Sequence, residues 1–252
     1  MASAVPTSPM RSLVLPGLAT LMALIVLVGL GSWQLLRLSE KDRLVTQIEA
    51  SLNAPPVPLP AVETWASLKS SDYDYRRVSL SGTFNHEKEA LVFGFIAVGD
   101  RGDTREGFFA LTPLTLADGS IVLVNRGFVP QALREQSSRP EGLIKGVVTL
   151  TGLMRAPQSK GTFTPNDEPA KNLYFTIDPV TISRALKLDK IAPFTVDADR
   201  IAGSAPWPDG GHTVVTLVNN HLQYALTWFA LAFALMGVFV VFAGKRLKGA
   251  DS

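Results

Sequence analysis

The chain has 252 residues, 46% of them hydrophobic, with 24 basic against 22 acidic residues and a formal net charge of +2. That balance carries no polyanion-binding signal and argues against nucleic acid as a partner. The sequence holds no cysteine, which excludes disulfides, thiolate chemistry, Cys-ligated metals and iron–sulfur clusters.

Mean hydropathy is +0.20, and the apolar excess sits in two segments, the pattern of a membrane protein with a soluble insert. Residues 1–12 are polar, with Arg11 as their one charge, and read as an N-terminal tail. Residues 13–36 are 24 residues without a formal charge. A signal-peptide core is about 7–15 apolar residues before a small-residue cleavage site. This run is longer and ends in Trp33-Gln34-Leu35-Leu36-Arg37, so it reads as an uncleaved anchor. Pro16 falls near its start, where it harms a helix least. Residues 37–64 form a membrane-proximal segment. Leu44, Ile48 and Leu52 follow i, i+4, i+8 spacing and predict a short amphipathic helix over 39–52. Four prolines within 54–60 then read as an extended linker.

The soluble domain is expected over 65–218. Val78, Leu80 and Phe84 alternate with polar residues, which predicts a half-buried strand with a possible bulge at Gly82. Further strands are expected at 90–95, 108–116, 121–124, 147–154, 173–177, 194–196 and 214–218. Asp118-Gly119 is a hairpin signal for a type I′ turn. Asp178-Pro179 reads as the N-cap and first position of a short helix, with Ile182, Ala185 and Leu186 on its buried face. Short strands punctuated by turns predict a mainly antiparallel sheet curled toward a barrel. The fold class is therefore α+β: two transmembrane helices flank, in sequence, an external β-rich domain with short helices.

Residues 219–243 form the second span, of which 222–243 are 22 residues without a charge. At about 1.5 Å per residue this crosses a bilayer core of roughly 30 Å. Lys245, Arg246 and Lys248 follow it in a basic tail, 244–252, and favour a cytoplasmic C-terminus. Two spans put both termini on that side and the middle domain on the outer side.

No G-x-S-x-G, P-loop, H-E-x-x-H or Rossmann glycine pattern occurs, so no enzyme class is indicated. Asp72 with Asp74, and Asp197 with Asp199, sit in turn-like polar contexts and read as solvated acids. His86 and His212 read as exposed turn residues. His221 differs, because a titratable ring at the lip of a membrane span is a functional candidate by default. His221, Tyr224 and Trp228 share i, i+3, i+7 spacing, and Trp33 and Arg37 share i, i+4. In an antiparallel helix pair both clusters fall at one membrane surface. An imidazole, aromatic walls and a guanidinium there would suit an amphiphilic macrocycle: His221 as iron ligand, Arg37 against carboxylate side groups. The plainer alternative has Asn219, Asn220 and His221 capping the helix, Tyr224 and Trp228 as interfacial aromatics, and Arg37 as a snorkelling anchor.

The motifs resemble a known family. NNHLQYALTWFALA at 219–232 and WQ-x-x-R at Trp33, Gln34 and Arg37 are similar to span signatures of the Surfeit locus protein 1 family. YRRVSLSGTF at 75–84, TPL at 112–114, DG at 118–119 and VNRGFVP at 124–130 are similar to its soluble-domain motifs. The resemblance implies a membrane-bound assembly factor, not an enzyme, for cytochrome c oxidase. It implies help in inserting haem a into subunit I, with haem a synthase and oxidase subunit I as partners and the bacterial plasma membrane as location. It also implies haem a binding through the span-two histidine, here His221, as metal ligand. Arg37, Trp33, Tyr224 and Trp228 complete the expected cofactor site. The alternative is a scaffold that stabilises an oxidase assembly intermediate and binds no cofactor.

Overall fold

The computed structural model describes residues 9–99, 103–200, 205–211 and 219–248. The chain divides into two compact units, Met1–Gln47 with Thr216–Ser252, and Ile48–Val215.

The first unit is a pair of helices. Helix α1 runs unbroken over Pro9–Asn53, 45 residues. The expected anchor and the expected short amphipathic helix are thus one element. Between Leu36 and Asn53 stand no glycine or proline and several good helix formers, so nothing interrupts the helix where its hydropathy drops. Ile48 of the expected amphipathic face is buried; the side chain of Leu44 lies outside the described residues. Helices α2 (Ser70–Tyr73) and α3 (Pro179–Leu186) follow in the sequence, and helix α4 runs over His221–Lys248. By length and composition α1 and α4 are apolar enough to cross a membrane, which suggests a membrane protein.

The two helices pack antiparallel. Asn219 bonds Asp42, His221 meets Gln34, Phe229 lies against Gly31, and Phe239 lies against Gly17. Partner numbers rise on one helix as they fall on the other. Small residues set the approach: Ala225 and Ala232 are the buried positions of α4. A Cβ on Gly31 would fall 2.7 Å from the Phe229 ring. Small side chains allow helices without a hydrophobic drive between them to gain close van der Waals contact.

The second unit is a seven-stranded mixed sheet. Its strands are β1 (Val57–Pro58), β2 (Arg77–Phe84), β3 (Ala90–Val98), β4 (Asp103–Leu116), β5 (Ile121–Pro130), β6 (Val147–Arg155) and β7 (Ile191–Ala198). The pairings β2–β6, β6–β7, β7–β5, β5–β4 and β4–β2 run in a closed circuit, with β1 and β3 outside it. Every link in the circuit is antiparallel except β5–β7. Closure depends on Gly82. There β2 pairs with β6 and begins to pair with β4, and a Cβ would sit 2.4 Å from the Thr115 carbonyl oxygen. Gly82 is therefore a point of close backbone approach and not a bulge; the register through it is continuous.

Strand β2 alternates as expected, with Val78, Leu80, Gly82 and Phe84 buried. Their side of the sheet packs with Leu114, Val124, Met154 and Phe194 into the main core. Trp65 and Phe194 meet edge to face at 5.5 Å between ring centres. Strand β5 is buried along nearly its whole length, because its alternate residues feed different clusters: Val122 and Val124 the main core, Leu123 a second core under helix α3 (Pro179–Leu186). Tyr174 fills that second core, and burial raises its phenol above the ordinary value.

Helix α3 begins as the sequence predicts. Asp178 accepts from the Val180 and Thr181 amides, with Pro179 at the first position. Its buried residues are Pro179, Ile182 and Ser183, Leu186 packs partly buried against the second core as expected, and Ala185 is exposed. The hairpin between β4 and β5 turns at Asp118-Gly119, but only Gly119 has positive φ, +79°. The Gly119 amide bonds the Leu116 carbonyl and the Leu116 amide bonds the Ser120 carbonyl, so this is a three-residue loop with glycine in the left-handed position, not a type I′ turn. Residues 173–177 form isolated bridges, Tyr174 to Val92 and Leu173 to Glu168, in place of the expected strand. The strand expected over 214–218, and His212, lie outside the described residues.

Candidate functional site

The start of α4 is held against α1 by two polar contacts. His221 Nδ1 lies 2.6 Å from Gln34 Oε1. Asn219 Nδ2 donates to Asp42 Oδ1 at 2.8 Å. Asn219 Oδ1 in turn accepts from the His221 amide at 3.4 Å, a local bond of the kind that starts a helix. The expected polar lip therefore exists, with Gln34 and Asp42 as its α1 half.

The expected site residues divide by helix face. Gln34 and His221 lie in the seam. Trp33 and Tyr224 are about half exposed, at 48% and 55%. The Arg37 guanidinium stacks over Trp33 at 5.7 Å and bonds Glu40 at 2.7 Å. At about 100° per residue, Trp33 and Arg37 fall on one flank of the Gln34 stripe. Tyr224 and Trp228 fall on one flank of the His221 stripe. For an antiparallel pair these are the same flank of the seam. The described residues thus place an imidazole in the seam, with aromatic rings and a guanidinium along one side of it.

These are residue types that could hold a metalloporphyrin. Among the described residues no three His, Asp or Glu side chains stand close enough to hold a metal. A macrocycle that already supplies four nitrogens needs an axial ligand and a carboxylate partner from the protein, and His221 and Arg37 are of those types. Gln34 was present in the WQ-x-x-R motif, but sequence spacing alone does not show which of Trp33, Gln34 and Arg37 faces the partner helix.

The β-rich unit holds a second polar cluster that the sequence reading missed. Glu89 pairs with Arg139, both side chains 2% exposed, and Arg126 lies 3.9 Å from the same carboxylate. Arg126 also donates to the Gly142 carbonyl and stands over the Phe84 ring. Burial lowers its guanidinium to about 10, so it stays charged at neutral pH. His86 is not an exposed turn residue. Its Nε2 lies 2.8 Å from the Ile144 carbonyl and its Nδ1 lies 3.3 Å from Arg126 Nη1. Gln136 donates to the His86 carbonyl at 2.6 Å. These bonds fasten the segment 131–144, which has little regular structure of its own, onto β5 and the start of β3.

Of the paired acids, Asp72 is exposed as expected, whereas the other three are not free in solvent. Asp197 is buried and accepts from Asn125 at 2.9 Å and from Arg155 at 3.4 Å. Asp199 accepts from Arg77 and from Thr151. Asp74 accepts from Arg155 and from the Ala156 amide. They tie the strand ends together across the sheet.

Two helices long and apolar enough to cross a membrane, with a closed strand circuit between them in sequence, suggest the class of membrane proteins that carry a sheet domain. The comparisons make that class specific. The model of the SURF1 family matches residues 21–233. A SURF1-like protein of Monosiga brevicollis is 34% identical over 240 residues, covering 90% of this chain and 87% of the relative. Surfeit locus protein 1 of Xenopus tropicalis is 33% identical over 217 residues, 82% of this chain and 68% of the relative. The Homo sapiens protein of the same name is 34% identical over 217 residues, 82% and 70%. The chain belongs to the SURF1 family.

Proposed function

We propose that this chain is a non-enzymatic assembly factor for cytochrome c oxidase, and that it holds haem a at the lip of its helix pair for delivery to oxidase subunit I. Family membership supports the assembly role. The observation that carries the haem reading is His221, held in the helix seam against Gln34 with aromatic and guanidinium groups along one flank.

In this reading His221 would ligate the haem iron, which the bound haem would carry to the oxidase. Arg37 would pair with a carboxylate side group of the macrocycle in place of Glu40, and Trp33, Tyr224 and Trp228 would line the site. The Arg37–Glu40 pair is i, i+3 and exposed on both sides, a kind of contact worth at most about 1 kcal/mol, so the exchange is easy. Both helices lie in the bacterial plasma membrane. Lys245, Arg246 and Lys248 in the last turn of α4 hold the C-terminus on the cytoplasmic side. The β-rich unit then acts outside as a small barrel-like domain, and haem a synthase is the source of the cargo. A second reading, a scaffold that stabilises an assembly intermediate without cargo, draws on the closed strand circuit and its buried ion cluster, which offer a partner a rigid surface.

The test is complementation of a strain that lacks the chain. The haem reading predicts that His221→Ala leaves the protein in the membrane but yields oxidase depleted in haem a. Full haem a content with His221→Ala, and loss only with substitutions in the β-rich unit, would decide for the scaffold.

A further inference from the structure

The contact between Gln34 and His221 fixes more than distance. A carboxamide oxygen only accepts hydrogen bonds. The atom of Gln34 that faces His221 is Oε1, at 2.6 Å from Nδ1. With that oxygen as the acceptor, Nδ1 carries the hydrogen, and in a neutral ring Nε2 then carries the lone pair. A hydrogen bond to one ring nitrogen decides which nitrogen is left to bind a ligand.

From this we infer that Gln34 is a positioning residue: it holds His221 as the Nδ1–H tautomer and presents Nε2 as the ligating atom. The inference rests on the haem reading above and adds the tautomer, the ligating atom and the residue that sets them. Histidines that bind metals usually donate their other ring N–H to an oxygen acceptor in this way, and removing that acceptor typically weakens binding about 10–100-fold.

Three further features of the helix pair serve the contact. Gly31, one turn before Gln34, lets the Phe229 ring lie where a Cβ would be 2.7 Å away, which brings α4 within reach of a short amide side chain. Ala225, one turn after His221, is 1% exposed and leaves that part of the seam to small groups. The Asn219–Asp42 bond fixes the start of α4 on the other side of His221. The imidazole is thus located by its helix and turned by Gln34. Trp33 and Arg37, the conspicuous members of the same motif, stack on each other and leave the ring's orientation to the residue between them.

The experiment uses the full chain, purified without haem in detergent and labelled with 15N-histidine. The chain has three histidines, so His221→Ala assigns the His221 signals. Wild type is expected to show His221 with a protonated Nδ1 and an unprotonated Nε2. Gln34→Leu should convert it to a mixture or to the Nε2–H form, and Gln34→Glu, which keeps an acceptor oxygen, should restore the wild-type pattern. Circular dichroism of the same samples confirms that the helices are intact. The Nε2–H form in wild type, or an unchanged Nδ1–H form in Gln34→Leu, would overturn the inference.

A second arm titrates haem a into the wild type, Gln34→Leu, Gln34→Glu and His221→Ala. Gln34→Leu should bind about 10–100-fold more weakly than wild type, with Gln34→Glu restoring most of the loss. If His221→Ala binds haem a with an unaltered spectrum, the haem reading itself fails, whatever the tautomer. If binding requires His221 but Gln34→Leu changes neither tautomer nor affinity, only the positioning role fails.

Discussion

Glu89 and Arg139 form a bidentate ion pair in the β-rich unit, each side chain only 2% exposed. Removing one member of such a pair leaves an uncompensated buried charge, at a cost of about 3–5 kcal/mol. Glu89→Ala also strips Arg126 of its nearest carboxylate. We therefore expect Glu89→Ala to lower the unfolding free energy of the β-rich unit by that amount, measured by chemical denaturation of the purified protein. A loss below about 1 kcal/mol would mean that the pair behaves as a solvated one.

Gly127 predicts a larger local effect. Its φ is +117°, and a Cβ there would fall 2.0 Å from the Asp209 carbonyl oxygen. The backbone needs that approach because Phe128 and Asp209 exchange both amide bonds at 2.9 Å. Gly127→Val should break this bridge and leave little folded protein, while Gly119→Ala, with positive φ but open space, should cost about 1 kcal/mol. Soluble yield and melting temperature compare the two.

The N-cap of α3 gives a modest, clean test. Asp178 accepts from the Val180 and Thr181 amides at 3.1 and 3.3 Å. Asp178→Ala should cost about 1 kcal/mol and Asp178→Asn only a fraction of that, read as shifts in denaturation midpoint.

His86 makes stability depend on pH. Burial, first of all, lowers its pKa below 6.5; the Ile144 carbonyl works the other way, and Arg126 lowers it further. Glu89 raises it and Arg139 lowers it, both more weakly. Folding therefore favours the neutral ring. The unfolded chain takes up the proton first as pH falls, so the stabilisation is whole above pH 6.5 and is lost as pH falls through the lowered folded value. His86→Gln should flatten the stability profile in that window when urea midpoints are measured from pH 7.5 to 5. An identical slope in both proteins would assign the dependence elsewhere.

Local patterns in the sequence carry most of the fold. Uncharged length marks both apolar helices, alternation marks β2, and Asp178-Pro179 marks α3. What escapes is set by partners distant in the chain. Asp197 and Asp199 look like turn acids until Asn125, Arg155 and Arg77 are brought to them. His86 looks exposed until Arg126 and Ile144 close on it. Residues 173–177 have strand composition, but the neighbouring backbone offers Tyr174 only a single bridge to β3. At the candidate site the motif WQ-x-x-R was legible, while the orientation of the helix was not. One residue is about 100° of rotation, enough to put Gln34 in the seam and turn Trp33 outward.

The most direct test of the account is an optical spectrum of the detergent-purified protein, produced together with haem a synthesis, for wild type and His221→Ala. The wild type is expected to show a Soret band and a red-shifted haem a α-band, lost or displaced in the variant. Stoichiometric haem a with the same spectrum in both proteins would contradict it.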